Sequence, residues 1–170
     1  ELGLARKASR FPKKATCLAI YSHAVNSRCA LETTLSQFFP WCEAWAEDLK
    51  SLYRAYLAAK QAQNVLDFDD LLLKTVELFE TVERVRDFYA RKFKHVLVDE
   101  YQDTNRPQYL LIRRLAAVHR NLCVVGDPDQ SIYRWRGADL RNILDFEHDF
   151  SDARIVKLEQ NYRSTQVILD

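Results

Sequence analysis

The chain has 170 residues, of which 48% are hydrophobic and 29% charged, and its formal net charge is +1. This length allows one folded domain at most, and the near-neutral charge excludes a protein that attracts nucleic acid through its bulk charge. No apolar run approaches the roughly 20 residues of a membrane span, and the four cysteines lack the close pairing of zinc sites. We therefore expect a soluble, cytoplasmic protein without membrane contact, whose cysteines are reduced and buried.

The first part of the chain is predicted to be helical. Apolar residues recur at helical spacing over residues 11–28 and again over residues 40–56, where Trp41 and Trp45 belong to an aromatic stripe. Such a stripe is more often core packing between helices than a cofactor or nucleobase site. We therefore expect two amphipathic helices with both tryptophans in the core.

Two more helices are predicted before the pattern changes. Asp67 is a suitable N-cap for a helix whose apolar face begins with Phe68 and Leu71, and the acids that follow the cap suit the positive end of a helix. The next helix is expected over roughly residues 83–93. The acids that follow Asp67 are therefore explained by their position at the start of a helix and need no catalytic role.

The second half of the chain alternates between strands and helices. Short apolar runs at residues 96–98, 122–125 and 155–158 are typical of strands buried in a parallel sheet. Pro107 begins a helix between the first two runs, and another helix is expected around residues 140–146. This order predicts a doubly wound α/β layer that follows an all-helical part.

Two adjacent acids, Asp99 and Glu100, directly follow the first predicted strand. Open α/β sheets hold their ligands at the carboxyl ends of parallel strands. Magnesium takes one or two protein carboxylates, so Asp99 suits the metal, and Glu100 can orient or deprotonate an attacking water. Taken alone, the acid pair is better explained as a solvated strand end, so its interpretation depends on neighbouring groups.

Gln130 lies in the turn that ends the second predicted strand. A short strand–helix–strand connection favours neighbouring strands, which would place Gln130 beside the two acids. A neutral amide at that position can bond a terminal phosphate. By itself Gln130 would be a turn residue, but with Asp99 and Glu100 aligned we favour the functional interpretation.

Two large aromatic residues alternate with two arginines just past this turn, in the run Tyr133-Arg134-Trp135-Arg136. Base stacking on exposed rings contributes about 1–3 kcal/mol per base and tolerates any sequence, while arginines hold phosphates. Aromatic residues at this spacing are more often core residues, yet a tryptophan flanked by two arginines is hard to bury completely. We therefore predict a binding site for single-stranded nucleic acid in this run.

Arg163 follows the third predicted strand at a helix start. Its guanidinium offers a fixed fork of donors to the charge that develops on a phosphoryl group during transfer. A plain salt bridge is the competing explanation.

Three of these segments together resemble motifs II, III and IV of the UvrD/Rep/PcrA helicases of superfamily 1. The segments are residues 98–105 (Val-Asp-Glu-Tyr-Gln-Asp-Thr-Asn), residues 126–138 (Gly-Asp-Pro-Asp-Gln-Ser-Ile-Tyr-Arg-Trp-Arg-Gly-Ala) and residues 158–165 (Leu-Glu-Gln-Asn-Tyr-Arg-Ser-Thr). Residues 66–71 also resemble the segment by which these enzymes re-enter their first motor domain from an inserted helical subdomain. The resemblance covers roughly residues 45–170 well, and three long motifs in family order are highly specific.

The resemblance implies a partial RecA-like, doubly wound parallel sheet of the P-loop NTPase type, preceded by an all-helical subdomain. Residues 1–64 would be the remnant of that subdomain, and residues 65–170 the C-terminal part of the motor domain. A chain that contains no methionine and begins with Glu1 is expected to be a piece of a longer protein.

The resemblance also implies an ATP-dependent 3′–5′ DNA helicase that uses ATP and Mg²⁺. In that family pattern Asp99 binds magnesium with Glu100 next to it, and Glu100 is the base for the attacking water. Gln130 couples the γ-phosphate to DNA, and Arg163 contacts the same phosphate.

The implied partners are single-stranded DNA and DNA junctions. Tyr133 and Trp135 would stack on the bases, and Arg136 would link the DNA and ATP sites. The family's Gly-x-x-x-x-Gly-Lys-Ser/Thr loop does not occur in this sequence, so we expect negligible ATP hydrolysis by the chain alone.

Two other classes of function remain open from the residues. A metal-dependent nuclease could use Asp99, Glu100 and Asp103, since clustered carboxylates also support two-metal hydrolysis, but it leaves the amide, the tryptophan and the arginine without a role. A non-catalytic module that binds DNA or protein through the helical half would explain the missing phosphate loop. Magnesium-dependent DNA cutting without ATP would favour the nuclease.

Overall fold

The computed structural model describes residues 10–169, apart from the side chains of Arg136, Gln166 and Leu169. Helices dominate the described residues, and two short strands form a small sheet. The α-helices are α1 (Lys14–Ser27), α2 (Leu31–Phe38), α3 (Ala46–Gln63), α4 (Phe68–Thr81), α5 (Glu83–Lys92), α6 (Arg106–Ala116), α7 (Arg141–Leu144), α8 (Phe146–Asp149) and α9 (Gln166–Leu169). The strands are β1 (Val96–Val98) and β2 (Leu122–Val124), and short 3₁₀ turns cover Pro40–Trp45, Tyr101–Asp103, Pro128–Gln130 and Arg134–Arg136.

The first three helices pack around one apolar core, whose buried residues are Cys17, Ile20, Leu35, Cys42, Trp45 and Leu49. The predicted helices over residues 11–28 and 40–56 are confirmed, although a 3₁₀ turn precedes α3. Helix α2 was not predicted, even though its apolar residues recur at helical spacing. The prediction for Trp41 was wrong, because its side chain is exposed while Trp45 is buried.

Helix α4 begins at the predicted N-cap. The Asp67 carboxylate accepts a hydrogen bond from Asp70 N, and the Asp70 carboxylate accepts one from Asp67 N, which completes a capping box. The predicted buried face is wrong in its first turn, where Phe68 and Leu71 are exposed. That turn borders an open cleft and buries the polar Asp70, and the buried apolar residues of α4, Val76 and Phe79, lie further along.

The sheet consists of β1 and β2 in parallel, joined by α6, with Val96 opposite Leu122 and Val98 opposite Val124. The predicted strand–helix–strand unit is therefore confirmed. The third strand, predicted at residues 155–158, was wrong, because these residues form no ladder and their large apolar side chains are exposed. Strand propensity acts only where a neighbouring strand offers backbone partners, and the described residues provide two strands rather than a full RecA-like sheet.

The segment after the second strand is held by polar contacts. Asn142 on α7 is buried, and its Nδ2 donates to Thr104 O at 3.0 Å. The single helix predicted over residues 140–146 is observed as the two short helices α7 and α8. All four cysteines are free, but only Cys17 and Cys42 are buried as predicted. Within residues 10–169, no helix combines the length and apolar character needed to span a bilayer.

Buried His23 gives the stability of this fold a pH dependence. Its ring packs against Phe38 in a tilted arrangement with centroids 4.1 Å apart, and neither ring nitrogen has a hydrogen-bond partner among the described residues. Burial, with a smaller contribution from Arg134, lowers the pKa of His23 below its ordinary value. The unfolded chain therefore binds a proton more readily, so stability is full above about pH 7 and falls as the pH drops below about 6.5.

We expect the free energy of unfolding to decrease between about pH 7 and pH 5, by at most about 1.4 kcal/mol per pH unit for this one proton. Urea unfolding across that range measures the slope in the wild type and in His23→Phe, which keeps the aromatic packing. The variant should show a smaller slope. An identical slope in both proteins would mean that His23 is not responsible.

Candidate functional site

The acid pair lies at the carboxyl end of β1, and both side chains are exposed. Asp99 Oδ1 accepts a hydrogen bond from Glu100 N at 2.9 Å, and Glu100 Oε2 accepts one from Gln102 Nε2 at 2.8 Å. Glu100 has a φ of 51°, a left-handed conformation that non-glycine residues rarely adopt. One carboxylate oxygen of each acid thus has no partner among the described residues, and hard oxygen donors of this kind fit Mg²⁺.

Gln130 lies in the 3₁₀ turn that follows β2 and is exposed. Its Nε2 donates to Asp127 Oδ2 at 2.8 Å, while Asp127 Oδ1 accepts from Asp129 N at 3.0 Å. The Asp127 carboxylate thereby holds the turn through hydrogen bonds to two of its residues. The turn starts beside the acid pair, because Val125 N donates to Val98 O and so extends the pairing of the two strands.

Gln102 connects the acid pair with this turn. Its side chain donates to Glu100 and accepts a hydrogen bond from Asp127 N at 3.0 Å, so its two ends contact two different strand ends. Only 1% of Gln102 is exposed. No periodicity or spacing in the sequence singles out this buried amide, and its position within the run of residues 98–105 is the signal that could have identified it.

Arg163 is not brought to these groups. It is exposed, and the contact described for it is local, from its backbone N to Asn161 Oδ1 at 2.8 Å. The predicted third strand would have placed it at the same sheet edge as the acids. Because that strand is not formed, the predicted meeting of three strand ends is observed only for the first two.

Tyr133 and Trp135 lie on one wall of a cleft with a volume of about 700 Å³. Their ring centroids are 6.5 Å apart, and 63% of Trp135 is exposed. The cleft is lined by the aromatic turn and by residues of helices α1 and α4, and Asn26, Asn105 and Gln108 contribute polar groups to it. The side chain of Arg136, predicted to link the two sites, lies outside the described residues.

Phe68 lines the same cleft from the first turn of α4, with 91% of the residue exposed. The position of Phe68 on the apolar face of the helix predicts a buried ring, and that prediction is wrong. An exposed aromatic ring opposite two others gives the cleft a third flat surface, and exposed apolar patches of this kind mark binding sites. The sequence feature that could have indicated this exposure is the position of Phe68 immediately after the N-cap, where the preceding residues form no helical turn that would cover its side chain.

The aromatic turn is anchored to both halves of the molecule. Gly137 has a φ of 82°, and a Cβ there would lie 3.1 Å from Asn26 Cβ, so the turn packs closely on α1. Asn26 Oδ1 accepts from Asn105 Nδ2 at 2.9 Å, and Asn26 Nδ2 donates to Asp69 Oδ1 at 2.8 Å. Buried Asn26 therefore links α1 to the first turns of α4 and α6 beneath the cleft.

A second, smaller cavity of about 350 Å³ lies beside Asp99 and Glu100. Asp103 and Gln108 line both this cavity and the aromatic cleft. Asp103 Oδ1 is buried and has no hydrogen-bond partner among the described residues. The acid pair and the aromatic cleft thus lie on two sides of one wall.

Comparison with known proteins gives one family and several close relatives. The family model described as "UvrD/REP helicase N-terminal domain" matches residues 4–151. The chain is 55% identical to ATP-dependent DNA helicase PcrA of Bacillus subtilis (strain 168) over 121 residues, which cover 71% of this chain and 16% of the relative. The PcrA proteins of Staphylococcus aureus and Staphylococcus epidermidis are 53% and 52% identical over 120 residues, with the same coverage. The match therefore spans about one sixth of these relatives.

Proposed function

The chain belongs to the UvrD/REP helicase N-terminal domain family, and from that premise we propose that it is part of a motor that couples ATP hydrolysis to movement on single-stranded DNA. The movement runs 3′ to 5′ and unwinds duplexes at junctions. Residues 1–64 belong to a helical subdomain, and residues 65–170 form the C-terminal part of the RecA-like motor domain.

The acid pair and Gln130 form the nucleotide side of this proposal. Asp99, with Glu100 beside it, would hold Mg²⁺, which would supply positive charge to neutralise the phosphate oxygens. Glu100 takes the proton of the attacking water. Gln130 contacts the γ-phosphate, and Arg163 reaches the same phosphate once the sheet is extended.

The aromatic cleft forms the DNA side. Tyr133, Trp135 and Phe68 offer flat surfaces on which unpaired bases stack whatever their sequence. Arg136 links the two sites. A chain with a net charge of +1 supplies little general attraction for DNA, so stacking carries a large share of its affinity.

The observation that carries the proposal is the shared wall between the two sites. Asp103 and Gln108 contact both the cavity beside the acids and the aromatic cleft. A change in the nucleotide cavity that moves this wall also changes the cleft. The function of a metal-dependent nuclease does not require a connection between the two sites. The function of a non-catalytic binding module does not require the paired acids.

Single-stranded DNA binding by the chain itself tests the proposal. We expect Trp135→Ala to weaken binding of a fluorescein-labelled oligothymidine by about 5- to 150-fold, the equivalent of about 1–3 kcal/mol for one stacked base. Fluorescence anisotropy at fixed salt measures the dissociation constant. A labelled duplex of equal length should show little dependence on Trp135.

Trp41→Ala is the matched control, because Trp41 is also an exposed tryptophan but does not line the cleft. It should leave the dissociation constant unchanged. Equal binding by the wild type and Trp135→Ala, or an equal loss in both variants, would contradict a stacking role for this cleft.

A further inference from the structure

Gln102 is a buried amide whose two side-chain hydrogen bonds are divided between two strand ends. Its Nε2 donates to Glu100 Oε2 at 2.8 Å, and its Oε1 accepts from Asp127 N at 3.0 Å. Asp127 in turn accepts from Gln130 Nε2 at 2.8 Å. A continuous path of hydrogen bonds thus runs from the Glu100 carboxylate through Gln102 and Asp127 to the Gln130 amide.

The position of the Gln102 amide is closely constrained. A Cβ on Gly126 would lie 2.6 Å from Gln102 Oε1 and 3.2 Å from Tyr101 N, so the backbone after β2 fits directly against it. Tyr101 N donates to Val125 O at 2.9 Å and fixes the two backbones relative to each other. In so tight a slot the amide cannot turn away from one partner without disturbing the other.

The two ends of the amide are also chemically distinct. The donor end faces a carboxylate, and the acceptor end faces a backbone N–H. A charge-assisted hydrogen bond to a carboxylate is about twice as strong as one between neutral groups. Displacement of the Glu100 carboxylate therefore disturbs the stronger of the two contacts and changes how the amide is held against Asp127.

We propose that Gln102 is a positioning residue that holds the Glu100 carboxylate and transmits a change in the position of that carboxylate to the turn that carries Gln130. The proposal rests on the proposed roles of Glu100 and Gln130. Because Tyr133 lies three residues beyond Gln130, the same turn leads directly to the aromatic cleft. Gln102 contacts neither nucleotide nor DNA in this scheme and acts only through its two partners.

A double-mutant experiment on the chain tests the coupling without any helicase activity. In the wild-type background, Glu100→Ala should shift the backbone amide resonances of Asp127 and Gln130 in ¹H–¹⁵N spectra. In the Gln102→Met background, which keeps the side-chain length, the same change should leave these two resonances in place. Equal shifts in both backgrounds, or none in either, would overturn the proposal.

Gln102→Glu serves as a second variant if the methionine is poorly tolerated. It keeps the acceptor for Asp127 N but removes the donor to Glu100, so Glu100→Ala should again fail to shift the Asp127 resonance by the wild-type amount. The resonances of α5, which is remote from the sheet end, report whether each variant is folded. A wild-type response in a folded Gln102→Glu protein would likewise overturn the proposal.

The catalytic consequence is measured in a full-length chimera in which this chain replaces the matching stretch of the Bacillus subtilis relative. Gln102→Met should lower the DNA-stimulated kcat by about 10- to 100-fold, as substitution of outer partners of a reacting centre does, with the KM for ATP and the DNA affinity within about twofold.

The activity and spectroscopic results separate this proposal from the proposed function. A chimera that remains active with Glu100→Gln would refute the role of Glu100 as base, whatever the spectra show. Wild-type kcat in the Gln102 variants, alongside an inactive Glu100→Gln, would refute only the positioning role.

Discussion

Glu100→Gln is expected to lower DNA-stimulated ATP hydrolysis by about 10²- to 10⁴-fold in the full-length chimera, the usual range for loss of a general base. The glutamine has nearly the same shape, and its oxygen can still accept the hydrogen bond that Gln102 Nε2 gives to Glu100. It cannot take a proton from water at neutral pH. The loss should therefore appear in kcat, measured as steady-state phosphate release with saturating single-stranded DNA.

The binding steps provide the internal control for this variant. ATP and DNA affinities should stay within about threefold of the parent chimera, because the substitution removes a proton acceptor and leaves the aromatic cleft untouched. Glu83→Gln is the matched exchange of an exposed acid on α5, and it should retain full activity. Hydrolysis within a few-fold of the parent in Glu100→Gln would remove Glu100 from the mechanism.

The isolated chain should show negligible hydrolysis in the same assay. Its sequence contains no Gly-x-x-x-x-Gly-Lys-Ser/Thr loop, so nothing of that kind holds the β- and γ-phosphates. Steady turnover by the chain that disappears in Glu100→Gln would contradict this expectation. It would show that the acid pair positions nucleotide without such a loop.

The features that the sequence predicted correctly depend on neighbours close in the chain. Asp67 and Asp70 are three residues apart, and this spacing is sufficient for the capping box that begins α4. The runs at β1 and β2 are joined by a short helix, so their parallel pairing also follows from local order. The placement of the acid pair and of Gln130 at neighbouring strand ends depends on the same unit.

The features that were missed depend on what covers a residue. Phe68 has the spacing of a core residue, but no neighbouring element packs over its ring. Gln102 has the composition of a surface residue, yet it is buried because two strand ends meet around it. Arg163 needs a third strand, and a strand forms only beside another strand with free backbone groups. The sequence pattern of one segment does not show which other segments will pack against it.

Lys60→Met is expected to lower the free energy of unfolding by about 3–5 kcal/mol, the cost of leaving a buried charge without its partner. Lys60 is 8% exposed, and its Nζ donates to Asp70 Oδ2 at 2.6 Å and to Asp67 Oδ2 at 2.7 Å. The ammonium also lies over the Tyr56 ring, 4.5 Å from its centroid. Methionine fills a similar volume but removes the charge, so Asp70 remains buried and uncompensated.

Lys74→Met is the matched control for this prediction. Lys74 also pairs with an acid, Glu77, but both side chains are largely exposed. Surface pairs of this kind contribute little to stability, so urea unfolding should give nearly the wild-type midpoint. Similar losses of unfolding free energy in Lys60→Met and Lys74→Met would show that burial of Lys60 with Asp67 and Asp70, the Lys60 cluster, does not add to stability.

The pH dependence of the Lys60 cluster has a definite sign at both ends. Burial alone would lower the pKa of Lys60, but its hydrogen bonds to Asp67 and Asp70 raise the pKa above its ordinary value. The stabilisation that charged Lys60 contributes is therefore full below about pH 10 and is lost above that pH. Burial alone would raise the pKa of Asp67, but the bond from Lys60 holds it below its ordinary value, so that contribution is lost as the pH falls below about 4. Lys60→Met should reduce both dependences.

A second substitution separates loss of charge pairing from loss of packing. Asp70→Asn keeps an oxygen that can accept from Asp67 N and so preserves the capping box, but it removes the negative charge. In the wild type it should destabilise the protein, because Lys60 loses a partner. In Lys60→Met it should restore part of the lost stability, because the uncompensated carboxylate is gone. A loss in both backgrounds would mean that packing, rather than charge, holds α3 against the start of α4, where Phe68 enters the cleft.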